Sequence, residues 1–192
     1  WIGVVIALPA EARTLNAVLT PALDIAVTGP GPRRAEAGAR LLVERGARGL
    51  LSWGTSGALV PGLLPGQLLV AHGVRDQQGN AYPCDSDWSR AARQSLAALG
   101  VQAASCVTTD RPVTTERAKQ RLAADSGCVA VDMESAAVAA IATLSGLPFL
   151  AIRSIVDPVD CDLPRSVLAG LDASGGTNLP ALLSSLLRRP WE

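Results

Sequence analysis

The sequence predicts an α/β fold in three layers, in which a mixed, mostly parallel central sheet lies between helices on both faces. Short apolar segments bounded by Gly or Pro alternate along the chain with longer segments of helical pattern. Aromatic residues make up only 3% of the composition, so Ala, Leu and Val must supply a closely packed core. The length of 192 residues suits one domain, residues 1–192.

The predicted strands are apolar runs of the length that buried strands have. They cover residues 2–8, 24–28, 48–53, 67–74 and 149–155. Helices are predicted where a longer segment has a recognisable capping residue, a terminal glycine or a basic last turn. They cover residues 34–45, 89–99, 134–145, the segment after Thr114-Thr115 through Ala124, and residues 178–189. Loops that follow strands are then the expected ligand sites.

Charge and cysteine content argue against several classes of function. The 17 Lys and Arg residues balance 17 Asp and Glu, so we expect no nucleic-acid partner. The four cysteines form no C-x-x-C pair, and the single His, His72, lies in a predicted strand where a structural role is expected; we expect no metal and no cofactor. The chain starts at Trp1 without a basic signal region, and no apolar run approaches the roughly 20 residues of a membrane span, which favours a cytoplasmic protein.

Two glycine-containing segments are candidate binding turns. In residues 54–57, Gly-Thr-Ser-Gly, backbone amides and two hydroxyls are accessible to an anion or a sugar hydroxyl. Gly29, followed by Pro30 and Gly31, stands before a helix whose N-terminus can bind an anion. A plain structural turn is the alternative for both segments.

Several carboxylates follow apolar segments and are candidates for chemistry. Asp132 and Glu134 lie between V-A-V and A-A-V-A-A, where a charge is costly unless it has a partner; helix capping is the structural alternative for Asp132. Asp157 follows an apolar run and precedes Pro158. The end of a strand is a common position for a catalytic acid, and the structural alternative is an Asp-Pro turn. Glu11 follows the first strand and is either catalytic or a first-turn residue that favours the helix dipole.

Taken in order, these segments resemble the purine nucleoside phosphorylase and nucleosidase superfamily, including its bacterial methylthioadenosine and adenosylhomocysteine nucleosidases. The matching segments span nearly the whole chain: I-G-V-V-I-A-L-P-A-E, V-T-G-P-G, W-G-T-S-G-A-L-V-P-G-L-L-P-G-Q-L-L-V-A, V-A-V-D-M-E-S-A-A-V-A and A-I-R-S-I-V-D. The resemblance implies a nucleoside phosphorylase-like fold and cleavage of the N-glycosidic bond of an adenosine derivative, with release of adenine.

The resemblance also implies a role for individual residues. Asp157 and Glu11 would be catalytic, the first giving a proton to adenine and the second orienting the attacking water. The implied substrate-binding residues are Gly29, Gly54, Thr55, Ser56, Pro112, Val113, Met133 and Glu134, of which Met133 and Glu134 would hold the ribose. The chemistry is consistent, because cleavage builds positive charge on the ribose and negative charge on the base. As an acid, Asp157 needs burial or a shared proton to favour its neutral form.

Two departures from the superfamily pattern bear on the reaction. Ser52 stands where its phosphorylases usually have a phosphate-binding Arg, which favours hydrolysis over phosphorolysis. Pro112 stands about where nucleosidases often have a purine-stacking Phe, so backbone groups near Pro112 and Val113 would hold the base.

With these departures and the segments S-I-V-D-P-V-D-C-D-L-P and L-L-S-S-L-L-R-R-P-W, the chain most closely resembles the hopanoid-associated branch of the superfamily, which acts on adenosylhopane. That substrate implies peripheral membrane contact and an apolar mouth, to which Leu163, Leu168 and Leu171 would contribute. The superfamily also implies a homodimer. Methylthioadenosine/adenosylhomocysteine nucleosidase, futalosine hydrolase, a phosphate-dependent phosphorylase and a nucleoside-binding module without turnover remain alternatives.

Overall fold

The computed structural model describes residues 1–15 and 21–162. Its elements in chain order are β1 (Ile2–Ile6), α1 (Pro9–Arg13), β2 (Leu23–Val27), α2 (Pro32–Glu44), β3 (Leu50–Ala58), β4 (Leu68–Arg75), β5 (Ala81–Pro83), α3 (Ser86–Ser95), a 3-10 turn (Ala97–Leu99), β6 (Gln102–Thr108), α4 (Glu116–Ser126), β7 (Ala130–Asp132), α5 (Ser135–Leu144) and β8 (Phe149–Asp157). The predicted helix at 178–189 and the residues Leu163, Leu168 and Leu171 lie outside the described residues.

The strands form one mixed, mostly parallel sheet of 8 strands, so the predicted fold class is confirmed. Its order is β2-β1-β3-β7-β6-β4-β5, and β8 pairs with both β3 and β4. β3, β8, β4, β6 and β7 therefore pair in a closed circuit, which the sequence patterns did not indicate. The antiparallel pairs are β3 with β7, β4 with β5 and β4 with β8.

Helices cover both faces of the sheet because the strands are apolar on both sides. Val5 of β1 packs into the main core with Ala39 and Leu42 of α2. Val4 and Ile6 point to the opposite face and pack near α1. Cores of this composition depend on small side chains that let helix and sheet approach closely.

The predicted strands and helices within the described residues are present, with ends shifted by a few residues. α4 begins after Thr115, whose hydroxyl accepts a hydrogen bond from the backbone N–H of Ala118, as the capping prediction requires. Patterns did not predict α1, β5, β6 and β7. β5 and β7 have 3 residues each, too few for a periodic signal, and β6 mixes Gln, Ser and Thr with alanine.

The described helices include none that is long and apolar enough to cross a membrane. His72 of β4 is exposed, and its Nε2 lies 2.7 Å from Ser105 Oγ on the neighbouring strand β6. This hydroxyl gives the imidazole a hydrogen-bond partner, as a structural histidine has.

Candidate active site

The candidate site lies where the carboxyl ends of β1, β3 and β8 meet. β1 and β8 both run parallel to β3, so their carboxyl ends share one edge of the sheet. Gly57, near the end of β3, pairs with Asp157 of β8 and with Val131 of β7. This geometry is the reason that motifs far apart in the sequence meet in one place.

A cavity of about 510 Å³ opens at this edge. It brings together most of the residues singled out in the sequence: Glu11, Thr55, Ser56, Pro112, Val113, Met133, Glu134 and Asp157. Gly29 and Gly54 are not among its lining residues. Pro30, next to Gly29, does line the cavity, and Gly31 donates its backbone N–H to Glu134 Oε1 at 2.8 Å.

The expectation that residues 54–57 form a turn is wrong, because they continue strand β3. The two glycines leave room for carboxylates instead of bending the chain. A Cβ on Gly54 would lie 3.0 Å from Glu11 Oε1, and a Cβ on Gly57 would lie 3.0 Å from Asp157 Oδ2. Gly54 therefore affects the site from behind Glu11, without lining the cavity.

Glu11 is a buried carboxylate held by several donors. Its Oε1 accepts hydrogen bonds from the backbone N–H of Thr55 at 2.8 Å and from the Thr55 hydroxyl at 2.7 Å. Its Oε2 accepts the N–H of Leu8 at 2.9 Å, which also caps the first turn of α1. Glu11 is thus a first-turn residue of α1, as one of the two sequence interpretations requires, and it also faces the cavity.

Glu134 lies just before α5, where it is 9% exposed. Its Oε1 accepts the N–H of Gly31, and its Oε2 lies 3.3 Å from the N–H of Met133. Burial first, and then the charge of nearby Asp132, raise the pKa of Glu134 to about 7. Near neutral pH this side chain thus changes between a carboxylate, which only accepts hydrogen bonds, and a neutral acid, which can also donate one.

The raised pKa of Glu134 predicts a pH dependence of stability. Between its ordinary value near 4.5 and about 7, the folded chain keeps a proton that the unfolded chain has released, so the free energy of unfolding falls as pH rises. Relative to Glu134→Gln, the wild type should lose roughly 2–3 kcal/mol between pH 5 and pH 8. Urea unfolding of both proteins across this range measures the difference. Parallel stability curves would contradict the assigned shift.

Asp132 and Arg153 form a buried ion pair beneath the cavity, with Nε of Arg153 2.8 Å from Oδ2 of Asp132. The same guanidinium donates to the hydroxyls of Ser52 at 2.6 Å and Ser135 at 2.7 Å. Burial would raise the pKa of Asp132, but the charge of Arg153 with hydrogen bonds from Ser135 and Thr108 outweighs it, and the net shift is downward. Ser52 is thus enclosed in this network.

The capping interpretation of Asp132 is supported by the structure. Its Oδ1 accepts the backbone N–H groups of Glu134 and Ser135 at 3.2 Å each, at the start of α5. The same carboxylate also has Arg153 as its charged partner. It therefore fixes the turn that carries Met133 and Glu134 into the cavity.

Asp157 faces a cation that sequence reasoning did not find. Nζ of Lys119, on α4, lies 2.7 Å from Asp157 Oδ2 in an ion pair that lacks the alignment of a hydrogen bond. Asp157 is 7% exposed, so the ammonium provides this buried carboxylate with a charged partner. Ser56 Oγ is likewise buried at the cavity without a hydrogen-bond partner among the described residues. The Ser56 hydroxyl is therefore available to a ligand.

A further segment that lines the cavity contains Pro112 and Val113. These residues line the main cavity and also a second one of about 570 Å³, which Arg111, Arg121 and Asp125 border. Pro112 provides no aromatic face, in agreement with the departure seen in the sequence. The wall between the two cavities is therefore a loop, residues 109–114.

Lys119 and Arg153 are the charged residues that the motif analysis missed. Signals for them exist in the sequence: Lys119 is the only lysine among the 17 Lys and Arg residues, and Arg153 interrupts the apolar run of β8. A cation in a buried segment requires a carboxylate partner. The partner's identity depends on tertiary structure, because Lys119 and Asp157 are distant in sequence.

The sequence of this chain matches the model of a known family. A model of the phosphorylase superfamily matches residues 23–178, and the chain belongs to that superfamily. No curated protein matches its sequence significantly.

Solved structures that share the fold include two enzymes of Helicobacter pylori. One is a 5'-methylthioadenosine/S-adenosyl homocysteine nucleosidase, with a TM-score of 0.78 and 18% identity over 97% of each chain. The other is futalosine hydrolase, with a TM-score of 0.77 and 19% identity over 97% of each chain. A putative 5'-methylthioadenosine/S-adenosylhomocysteine nucleosidase of Francisella philomiragia has a TM-score of 0.77 and 19% identity over 98% of each chain.

Proposed function

We propose that this protein is an N-glycosyl hydrolase that releases adenine from an adenosine derivative. The observation that carries the proposal is the meeting of three carboxylates around one cavity: Glu11 of α1, Glu134 from the turn between β7 and α5, and Asp157 at the end of β8. A carboxylate beside the ribose stabilises positive charge there, and an acid beside the purine protonates the departing base. The similar solved structures are of enzymes named for this class of reaction.

In this proposal Glu134 accepts hydrogen bonds from the ribose hydroxyls, and Met133 packs against the sugar. Glu11 orients the attacking water, since its carboxylate faces the cavity while Thr55 holds it in place. Asp157 donates the proton to adenine, between Ser56 and the loop that contains Pro112 and Val113. Gly54 leaves the space that Glu11 needs, and Gly29 adjoins the ribose side through Pro30.

Water is the proposed acceptor of the ribosyl group. No Lys or Arg is among the described residues that line the cavity, so nothing there is suited to hold phosphate as a strong anion partner. The two cations behind the cavity wall are already engaged, Arg153 by Asp132, Ser52 and Ser135, and Lys119 by Asp157. These contacts support hydrolysis over phosphorolysis.

For the group attached to the ribose we propose a large apolar one, with adenosylhopane as the substrate. The resemblance of the sequence to the hopanoid-associated branch supports this choice. The cavity wall also contains apolar side chains, among them Leu8, Val131 and Val156, and Val156 is 54% exposed. An apolar substituent buried there would gain on the order of 25 cal/mol per Å² of surface removed from water.

The test is adenine release from adenosylhopane, 5'-methylthioadenosine, S-adenosylhomocysteine and futalosine, each with and without phosphate. We expect phosphate-independent release, fastest from adenosylhopane. Faster release from 5'-methylthioadenosine or from futalosine would instead assign the activity named for the similar solved structures. Release that requires phosphate would overturn hydrolysis, and failure on all four substrates would favour a nucleoside-binding module.

A further inference from the structure

Lys119 is the only lysine of the chain, and its side chain is fully buried at 0% exposure. It lies on α4, whose neighbouring residues Arg117, Ala118 and Gln120 are exposed. Burying an ammonium costs several kcal/mol unless it is paired and hydrogen-bonded. A lysine buried to this extent therefore requires specific charged and hydrogen-bonding partners.

Its partners are three oxygen atoms at one end of β8. Nζ lies 2.7 Å from Asp157 Oδ2 and donates hydrogen bonds to the carbonyl oxygens of Pro158 and Cys161, each at 2.7 Å. Asp162 Oδ1 accepts the backbone N–H of Glu116 at 2.7 Å, which is a second tie between this segment and α4. Residues 157–162 are thus fixed to one helix.

A lysine at position 119 fits this geometry better than an arginine would, although every other basic residue of the chain except His72 is arginine. An ammonium is a compact charge with three donors that can be directed separately, whereas the donors of a guanidinium are fixed in one plane. Arg153 shows the second case, because its guanidinium divides its donors between Asp132 and the hydroxyls of Ser52 and Ser135. Lys119 instead joins a carboxylate and two carbonyls of a turn.

We propose that Lys119 is the positioning residue for Asp157, which it orients towards the purine while itself remaining outside the cavity. This inference rests on the proposed function, in which Asp157 is the acid. Lys119 is not a lining residue, so its effect on substrate passes through Asp157. Because α4 follows the loop with Pro112 and Val113, the same lysine sets the distance between the acid and the opposite wall of the purine site.

The first test compares Lys119→Met with Arg117→Met, which removes a positive charge from the exposed surface of the same helix. On the substrate that the wild type cleaves fastest among the four above, Lys119→Met should lower kcat about 100-fold and change KM less than about threefold, since the ribose contacts remain. Arg117→Met should match the wild type. The kcat effect should largely vanish in an Asp157→Asn background, whereas a general loss of structure would lower activity equally in both backgrounds.

The second test needs no variant of Lys119. Labelling with 15N-lysine gives a single side-chain Nζ signal, which we expect to move when adenine is added at a concentration that inhibits turnover by about nine tenths. The movement should be absent in Asp157→Asn. This measurement decides the proposal even where Lys119→Met does not fold.

The outcomes separate this inference from the function it rests on. A wild type that releases no adenine from any of the four substrates overturns the proposed function and this inference with it. An active wild type in which Lys119→Met keeps kcat within threefold, or in which adenine leaves the Nζ signal unchanged, overturns this inference alone.

Discussion

Asp157→Asn is expected to lower kcat for adenine release about 10³-fold, the range that loss of a general acid produces. Asn occupies the same space but cannot give a proton to the leaving base. Its amide also leaves the buried ammonium of Lys119, 2.7 Å from Oδ2, without a counter-charge. Measurement of kcat and KM for the best substrate, together with thermal unfolding, separates the chemical loss from a loss of fold.

The matched control is Asp160→Asn, which removes a carboxylate three positions later on the exposed surface. It should leave kcat within about twofold of the wild type, since exposed charges away from the site contribute little. If Asp157→Asn remained folded and kept activity within tenfold of the wild type, Asp157 would not be the acid, and the proposed mechanism would need another proton donor.

Arg153→Met is expected to produce the largest loss of stability, about 3–5 kcal/mol, because it leaves a buried charge without its partner. Arg153 is 2% exposed, and Asp132 would keep only its hydrogen bonds from Thr108, Glu134 and Ser135. For a chain of this size, the loss corresponds to a Tm lower by roughly 10 °C. Calorimetry or urea unfolding at neutral pH measures it.

Arg90→Met serves as the comparison, because Arg90 pairs with Asp87 on the exposed surface at 2.6 Å. Surface pairs of this kind contribute at most about 1 kcal/mol. The double variant Arg153→Met/Asp132→Asn, which removes both buried charges, should recover part of the loss. A Tm for Arg153→Met no lower than that for Arg90→Met would show that the buried pair does not support the fold.

Much of the fold was predictable because its signals are local. Apolar runs indicate the buried strands β1, β2, β4 and β8. Capping and terminal residues indicate where the helices α2 to α5 begin or end. The short strands β5 and β7 were not predictable, because three residues carry no period. Residues 54–57 were misread as a turn, since glycines there serve the approach of carboxylates rather than a change of direction.

The candidate site was likewise only partly predictable from the sequence. The sequence by itself determined the superfamily resemblance, and 8 of the 10 site residues that it named line the cavity, because motif residues keep their chemical types and their order along the chain. Only the tertiary structure decided the partners of the buried charges, Lys119 with Asp157 and Arg153 with Asp132. The physical reason is that β8 lies between β3 and β4, a pairing of segments distant in sequence, and this placement determines which cation meets which carboxylate.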